Sequence, residues 1–223
     1  MIDLAVWNLS IPVGSPPKTV ETPQLVSGYN DKYFNSKNGQ LFFWAPVTGA
    51  KTANAIYPRT ELRETFKDGE LRNWKYTEAN NMLRAQVTVS KVPSSGKVVI
   101  GQIHCYESTK PMVKLEYQYS DSLKTGKVVA KLRRKPTQKE AQVITVAENV
   151  PMNTRFKYII HLGTHGDLSL SARNMSYSTS ISSAWKNETL YFKAGVYTQD
   201  NTGYSSEGGQ VLFSQLKAVH STN

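Results

Sequence analysis

The 223-residue chain has a single cysteine, Cys105, so no intramolecular disulfide can brace it. At a strand position facing the core, that thiol reads as a small buried apolar residue. No stretch approaches the roughly 20 apolar residues that a membrane-spanning helix needs. The opening, Met1-Ile2-Asp3-Leu4-Ala5-Val6-Trp7, has no basic segment leading into an apolar run. No secretory signal is therefore expected in it, and localisation stays open. Sustained 3.6-residue periodicity, internal repeats and low-complexity tracts are also missing, which argues against helical bundles, solenoids and disordered tails. Acidic residues are scarce: 17 Asp and Glu stand against 27 Lys and Arg, a formal net charge of +10. Such a field draws polyanions, and nucleic acid, an anionic membrane and an acidic polysaccharide all fit it.

What the chain does have is period-2 alternation. In Asn80 to Lys91, Leu83, Ala85, Val87 and Val89 alternate with Arg84, Gln86, Thr88 and Ser90, the pattern of a strand with one buried and one wet face. Similar runs occur at 97–106, 113–119, 127–133, 142–147, 156–162, 168–172 and 210–219. Gln40 to Ala45 is a more continuously apolar run, expected inside a sheet rather than at its edge. Turn signals such as Lys37-Asn38-Gly39, Pro93-Ser94-Ser95-Gly96 and His165-Gly166-Asp167 separate these runs. Many short strands between turns predict an all-β sandwich or jelly roll, and 223 residues fit one domain spanning 1–223. A monomer is the default expectation.

Three stretches carry chemistry. In Gly101-Gln102-Ile103-His104-Cys105-Tyr106, strand alternation places Gln102, His104 and Tyr106 on one face and Ile103 and Cys105 on the other. In Arg59-Thr60-Glu61-Leu62-Arg63-Glu64 it groups Arg59, Glu61 and Arg63. In Tyr191 to Gln199 it groups Tyr191, Lys193, Tyr197 and Gln199 opposite Phe192, Ala194 and Val196. Three strands distant in sequence thus offer Arg, Gln, His, Lys and Tyr from polar sides, and the expectation is that these sides converge on one groove.

Such a set suits a substrate bearing a carboxylate beside a C–H bond, as a uronic acid does. Removing that proton leaves an enolate-like dianion, so the carboxylate must be neutralised, a base supplied and the leaving oxygen protonated. Arg59 is permanently charged and forks onto carboxylates, and Gln102 donates two N–H bonds. His104 titrates near neutral pH, and Tyr197 beside Arg and Lys is expected to have its phenolate favoured. Taken singly, each residue has a plainer reading. Arg59, Glu61 and Arg63 could be a surface charge ladder, Tyr191 and Tyr197 ordinary strand aromatics, and Lys193 a solvated lysine. His161, His165 and His220 read as structural or exposed.

Arg59-Thr60-Glu61-Leu62-Arg63, Gln102-Ile103-His104 and Tyr191-Phe192-Lys193-Ala194-Gly195-Val196-Tyr197-Thr198-Gln199 resemble, in order, the three motifs of the alginate lyases of polysaccharide lyase family 7. The similarity runs almost the whole length of the chain. It implies a β-jelly roll of two antiparallel sheets, with a concave groove that takes alginate and splits its 4-O-glycosidic bond by β-elimination, without metal or organic cofactor. Carried over, Arg59 and Gln102 neutralise the substrate carboxylate, while His104 and Tyr197 are the catalytic histidine and tyrosine. Glu61, Arg63, Tyr191, Lys193 and Gln199 line or support the groove. In the family, a guluronate unit has its C5 proton and leaving oxygen on opposite sides, which makes His104 the base and Tyr197 the acid. For mannuronate Tyr197 can serve as both. Ile103 accompanies activity on guluronate-containing blocks, and endolytic cutting is expected. Thr198 departs from the family's more usual Asn, on the face away from Tyr197.

The rival readings explain less. A glycoside hydrolase needs two carboxyls flanking the bond, and Glu116 stands alone between Lys114 and Gln118. A non-catalytic acidic-polysaccharide-binding module accounts for a groove and aromatics but not for His104 and Tyr197 beside Arg59 and Gln102. The basic run Lys131 to Lys135 carries no nucleic-acid recognition motif and reads as a solvated strand end and loop. Asp31, Asp68, Asp121, Asp167 and Asp200 lack calcium-loop spacing. Neither nucleic acid nor membrane is expected as a partner. The loops Thr48 to Ala55 and Asp200 to Gly209 are expected as lids.

Overall fold

The structure, a computed structural model, describes residues 1–222. Its first strands are β1 (Trp7–Ser10), β2 (Thr19–Val20), β3 (Phe34–Lys37), β4 (Gln40–Pro46), β5 (Arg59–Glu64), β6 (Asn80–Lys91), β7 (Lys97–Cys105) and β8 (Val113–Ser120). They are followed by β9 (Thr125–Leu132), β10 (Gln142–Val150), β11 (Phe156–Leu162), β12 (Asp167–Ala172), β13 (Met175–Ser180), β14 (Leu190–Thr198) and β15 (Gly208–Ser221). One sheet has eight strands in the order β10-β9-β8-β7-β14-β5-β1-β2, and the other has seven in the order β13-β12-β11-β6-β15-β4-β3. Neighbours pair antiparallel throughout, giving the jelly-roll sandwich. No helix among the described residues is long and apolar enough to cross a membrane.

The alternation read from sequence holds where a strand has one face in the core. In β6, Leu83, Ala85, Val87 and Val89 are buried. β4 lies inside its sheet between β15 and β3, and its alternate residues Phe42 and Trp44 are only partly covered on the outer face. The turn Asn38-Gly39 has positive φ at both residues, 55° and 73°, as a two-residue hairpin requires, and it pairs β3 with β4. β13 and one short helix are among the elements that left no sequence signal. β13 is an edge strand of mostly polar residues with no buried position, so it lacks an apolar rhythm. The short helix α1 (Thr22–Val26) is set by its start: Pro23 lies in the first turn, and Glu21 and Gln24 cap each other reciprocally.

Between the sheets lies a continuous apolar cluster in which Phe43 meets Phe34 and Phe213 edge to face, with ring centroids 5.3 and 5.2 Å away. Tyr158 of β11 crosses this core and donates its hydroxyl to the Ile100 carbonyl of β7 at 2.8 Å. The crossing depends on Gly101, because a Cβ there would sit 2.6 Å from that hydroxyl oxygen. The ladder between β7 and β8 is irregular between Val99 and Gly101, beside the carbonyl that Tyr158 takes. The seven-stranded sheet thereby supports β7 from beneath, just before Gln102 and His104.

Candidate active site

The strands carrying the three motifs lie side by side as β7-β14-β5. Their register sets Lys193 opposite both Arg63 and Gln102, Tyr191 opposite His104, and Tyr197 opposite Arg59. Leu62, Ile103, Phe192, Ala194 and Val196 point into the core and are fully buried, so the polar residues between them face outward. There they line a cavity of about 570 Å³. Residues 52–55 form one wall and Ser108, Thr109 and Pro111 another.

Glu61 organises the floor. Only 1% exposed, it accepts Arg59 Nη1 on Oε1 and Gln102 Nε2 on Oε2, each at 2.8 Å, while Lys193 Nζ lies 2.8 Å from Oε1. Burial alone would raise its pKa, but the Lys193 and Arg59 charges outweigh burial and hold it at about 2. One carboxylate therefore fixes two cations and an amide, leaving the floor net positive. Burial and the Arg59 charge bring Lys193 down to about 8, against the pull of Glu61, so it is still charged at neutral pH. Arg59 Nε is buried without a hydrogen-bond partner, a donor left for something that enters the cavity.

His104 has a defined tautomer. Its Nδ1 lies 3.0 Å from the Cys105 carbonyl oxygen, which can only accept, so Nδ1 carries the proton and Nε2 presents a lone pair. The Tyr191 hydroxyl approaches the same nitrogen at 3.2 Å, and the rings stack with centroids 5.3 Å apart. Burial, then the Lys193 charge, lowers the His104 pKa to about 3, so the imidazole is neutral far below its ordinary range. In that form His104 can accept a proton at Nε2.

Tyr197 differs from expectation. Arg59 does stack on it, with Cζ 3.7 Å from the ring centroid, and that charge favours the phenolate. Burial outweighs Arg59, however, and the net shift is upward, so the phenol keeps its proton. A protonated phenol is an acid in waiting.

Eight of the nine residues singled out from sequence line this cavity, Gln199 being the exception. β14 ends at Thr198, and beyond it Gln199 turns its amide to the Tyr197 carbonyl at 3.3 Å, bracing that residue from behind. Arg63 lines the cavity but is used as a strut. It donates to the carbonyls of Glu64 and Arg72 at 2.8 and 2.9 Å and to Asn73 Oδ1 at 2.6 Å, while its Cζ stacks 3.6 Å from the Tyr191 ring centroid. Glu64 anchors this strut from the core side, accepting Trp74 Nε1 at 2.7 Å and contacting His220 Nε2 at 2.5 Å. Asn73, Trp74 and His220 carry no motif, and nothing in their sequence neighbourhood marks them. Tyr106 falls just past β7 and is 37% exposed.

Of the two expected lids, residues 52–55 line the cavity, whereas the 200–207 loop stands behind them, with Asn201 Nδ2 donating to the Ile56 carbonyl at 2.9 Å. The basic run is less solvated than its composition suggests. Arg133 donates to the Pro111, Gln138 and Lys139 carbonyls, and Arg134 bonds the Tyr177 hydroxyl and Gln142, tying together the β10 and β13 edges.

Comparison with known proteins places the whole chain. The sequence model of a family described as alginate lyase matches residues 2–220. An alginate lyase from Pseudomonas aeruginosa superposes with a TM-score of 0.94 at 40% identity, covering 98% of this chain and 99% of its own. Alginate lyase A1-II′, a member of polysaccharide lyase family 7, gives 0.86 at 27% identity, covering 100% and 97%. Variants of A1-II′ have been solved with a substrate written GGMG and a product written GGG. A curated alginate lyase of Klebsiella pneumoniae is 27% identical over 277 residues, or 98% of this chain and 89% of that protein. With nearly its whole length matched, the chain belongs to the alginate lyase family, polysaccharide lyase family 7.

Proposed function

We propose that this protein depolymerises alginate by β-elimination, cutting within chains and favouring guluronate-containing blocks. The observation that carries the reading is the pairing of a neutral His104, with Nε2 free, and a protonated Tyr197 above the positive floor built on Glu61. A uronate carboxylate drawn to Arg59, Gln102 and Lys193 has its C5–H acidified by that charge. His104 Nε2 takes the C5 proton, the electron pair forms the C4=C5 double bond, the C4–O bond breaks, and Tyr197 gives its proton to the departing oxygen. Base and acid are then separate groups. That division suits guluronate, whose proton and leaving oxygen lie on opposite sides of the ring, better than a route in which Tyr197 must first lose its own proton.

Endolytic cutting is supported by the reach of the cavity, whose lining runs from Thr19 on β2 to Lys114 on β8. That is six adjacent strands, roughly 24 Å at about 4.8 Å between neighbours. The substrate and product complexes of A1-II′ support an oligosaccharide lying along such a groove. The test is to supply polyguluronate, polymannuronate and alternating-block alginates separately and follow the ultraviolet absorbance of the new double bond while sizing the products. A rise that is fastest on guluronate-containing blocks, with intermediate-length products, is expected. Binding without any rise would replace this reading with a non-catalytic polysaccharide-binding module.

A further inference from the structure

The arrangement around Glu61 recurs on the same face of the eight-stranded sheet, without an acid or a base. Glu116 on β8 is fully buried; it accepts Gln118 Nε2 on Oε2 at 2.6 Å and has Lys131 Nζ of β9 3.1 Å from Oε1. Glu61 likewise takes a glutamine amide on Oε2 and a lysine ammonium on Oε1. The second set is less saturated. The Lys131 ammonium is close to Oε1 but out of hydrogen-bond alignment, so that buried oxygen has no hydrogen bond.

Lys114 completes the set. It precedes Glu116 by two residues on β8 and stands in register between Gln102 of β7 and Lys131 of β9. It lines the catalytic cavity, yet among the described residues it forms no hydrogen bond and no ion pair. Burial and the adjacent Lys131 charge lower its pKa against the attraction of Glu116. Glu116 thus pairs with Lys131 alone, and the unpaired Lys114 charge faces the groove.

The register gives this charge a function. Lys193, Gln102, Lys114 and Lys131 form one row across four strands, one side chain per strand. Strands repeat about every 4.8 Å, a step comparable with the length of one pyranose ring, and a polyuronate carries one carboxylate per ring. We infer that Lys114, with Lys131 held beside it on Glu116, forms a second carboxylate subsite that holds the uronate next along the chain from the one being cleaved. The inference rests on the alginate reading above and adds to it a requirement for consecutive charged sugars.

The test uses the full chain in a Tyr197→Phe background, so that substrate is bound but not consumed, with guluronate oligomers from disaccharide to hexasaccharide as probes in calorimetry. Lys114→Gln is expected to weaken hexasaccharide binding about tenfold, the scale of one lost charge-assisted hydrogen bond, and Lys114→Arg to restore most of it. Lys217→Gln removes the same charge from an exposed position on the other sheet and is expected to keep the parental affinity. Thermal melts of all variants establish that they are folded. Hexasaccharide binding by Lys114→Gln within about twofold of the parent would overturn the inference, as would an equal loss in Lys217→Gln. A parent that binds no oligouronate would overturn the alginate reading and this subsite together.

Discussion

Gln102 Nε2 donates to Glu61 Oε2 across 2.8 Å, although their strands are not neighbours, because β14 runs between β7 and β5. The intervening strand also reaches the same carboxylate, with Lys193 Nζ of β14 2.8 Å from Glu61 Oε1. Opposite Glu61 on β14, Gly195 is held at φ +149°, and a Cβ there would meet the Thr60 carbonyl oxygen at 2.6 Å, so the backbone requires glycine. Each of the three motif strands thus contributes to the contacts of Glu61.

Glu61 therefore acts as a keystone. Glu61→Gln leaves Arg59 and Lys193 buried beside a neutral amide, and removing one partner of a buried ion pair costs about 3–5 kcal/mol. Chemical denaturation should show a loss of that size, with turnover on alginate falling further than in a Gln102 variant. Wild-type stability in Glu61→Gln would contradict this role.

Proton transfer and charge neutralisation should separate kinetically. Tyr197→Phe removes only the hydroxyl proposed to protonate the leaving oxygen, so turnover should vanish while oligosaccharide binding stays near wild type. Gln102→Ala removes one donor to the developing dianion and should lower kcat by roughly 10²- to 10³-fold. Activity within about twofold of wild type in either variant would take that residue out of the reaction.

The structure also moves the pH dependence. From sequence, activity is expected to fall in acid as His104 protonates near its ordinary range; burial beside Lys193 carries that loss down to about 3. The kcat/KM profile should show no inflection near 6.5, and an alkaline fall should begin as Lys193 discharges near 8. An inflection at 6.5 that disappears in a His104 variant would refute the buried neutral imidazole. Stability carries the same sign. The unfolded chain takes up a proton on His104 near 6.5 while the folded protein resists until about 3, so stability present above 6.5 is lost as pH falls through that window. His104→Gln should flatten the melting temperature from pH 6.5 down to about 4.5, below which the loss from Glu61, whose carboxyl is held at about 2, sets in.

What was legible in the sequence follows from what alternation encodes. Period 2 fixes which face a residue occupies, and so Arg59, Gln102, His104, Lys193 and Tyr197 could be grouped before any strand order was known. Alternation does not encode burial depth. The neighbours of Tyr197 were foreseen, but the net direction of its pKa shift was not, because the desolvation that outweighs Arg59 comes from burial in the folded site. Nor does it extend past a strand's end, which is why Gln199 turns out to brace Tyr197 from outside the cavity. The Arg63 strut was hidden for a third reason. Its acceptors at 72 and 73 belong to an irregular segment whose path is set by Trp74 reaching Glu64, a contact between residues with no shared pattern.

Support from the opposite sheet gives a test that substitutes no groove residue. Gly101 has room for no side chain, since its Cβ would lie 2.6 Å from the Tyr158 hydroxyl oxygen and 2.9 Å from two ring carbons. Gly101→Ala must therefore displace Tyr158, break its bond to the Ile100 carbonyl and shift β7 where Gln102 begins. Overpacking of this kind costs about 1–3 kcal/mol, and a small shift of Gln102 and His104 should lower kcat more than it raises KM. Tyr158→Phe alone removes the hydroxyl and costs about 1 kcal/mol for the lost hydrogen bond. Combined with Gly101→Ala, it relieves the shorter of the contacts but not those to the ring, so the double variant should recover part of the stability and activity lost in Gly101→Ala. Strict additivity of the two losses, measured by denaturation and initial rates, would mean that Tyr158 does not set the position of β7.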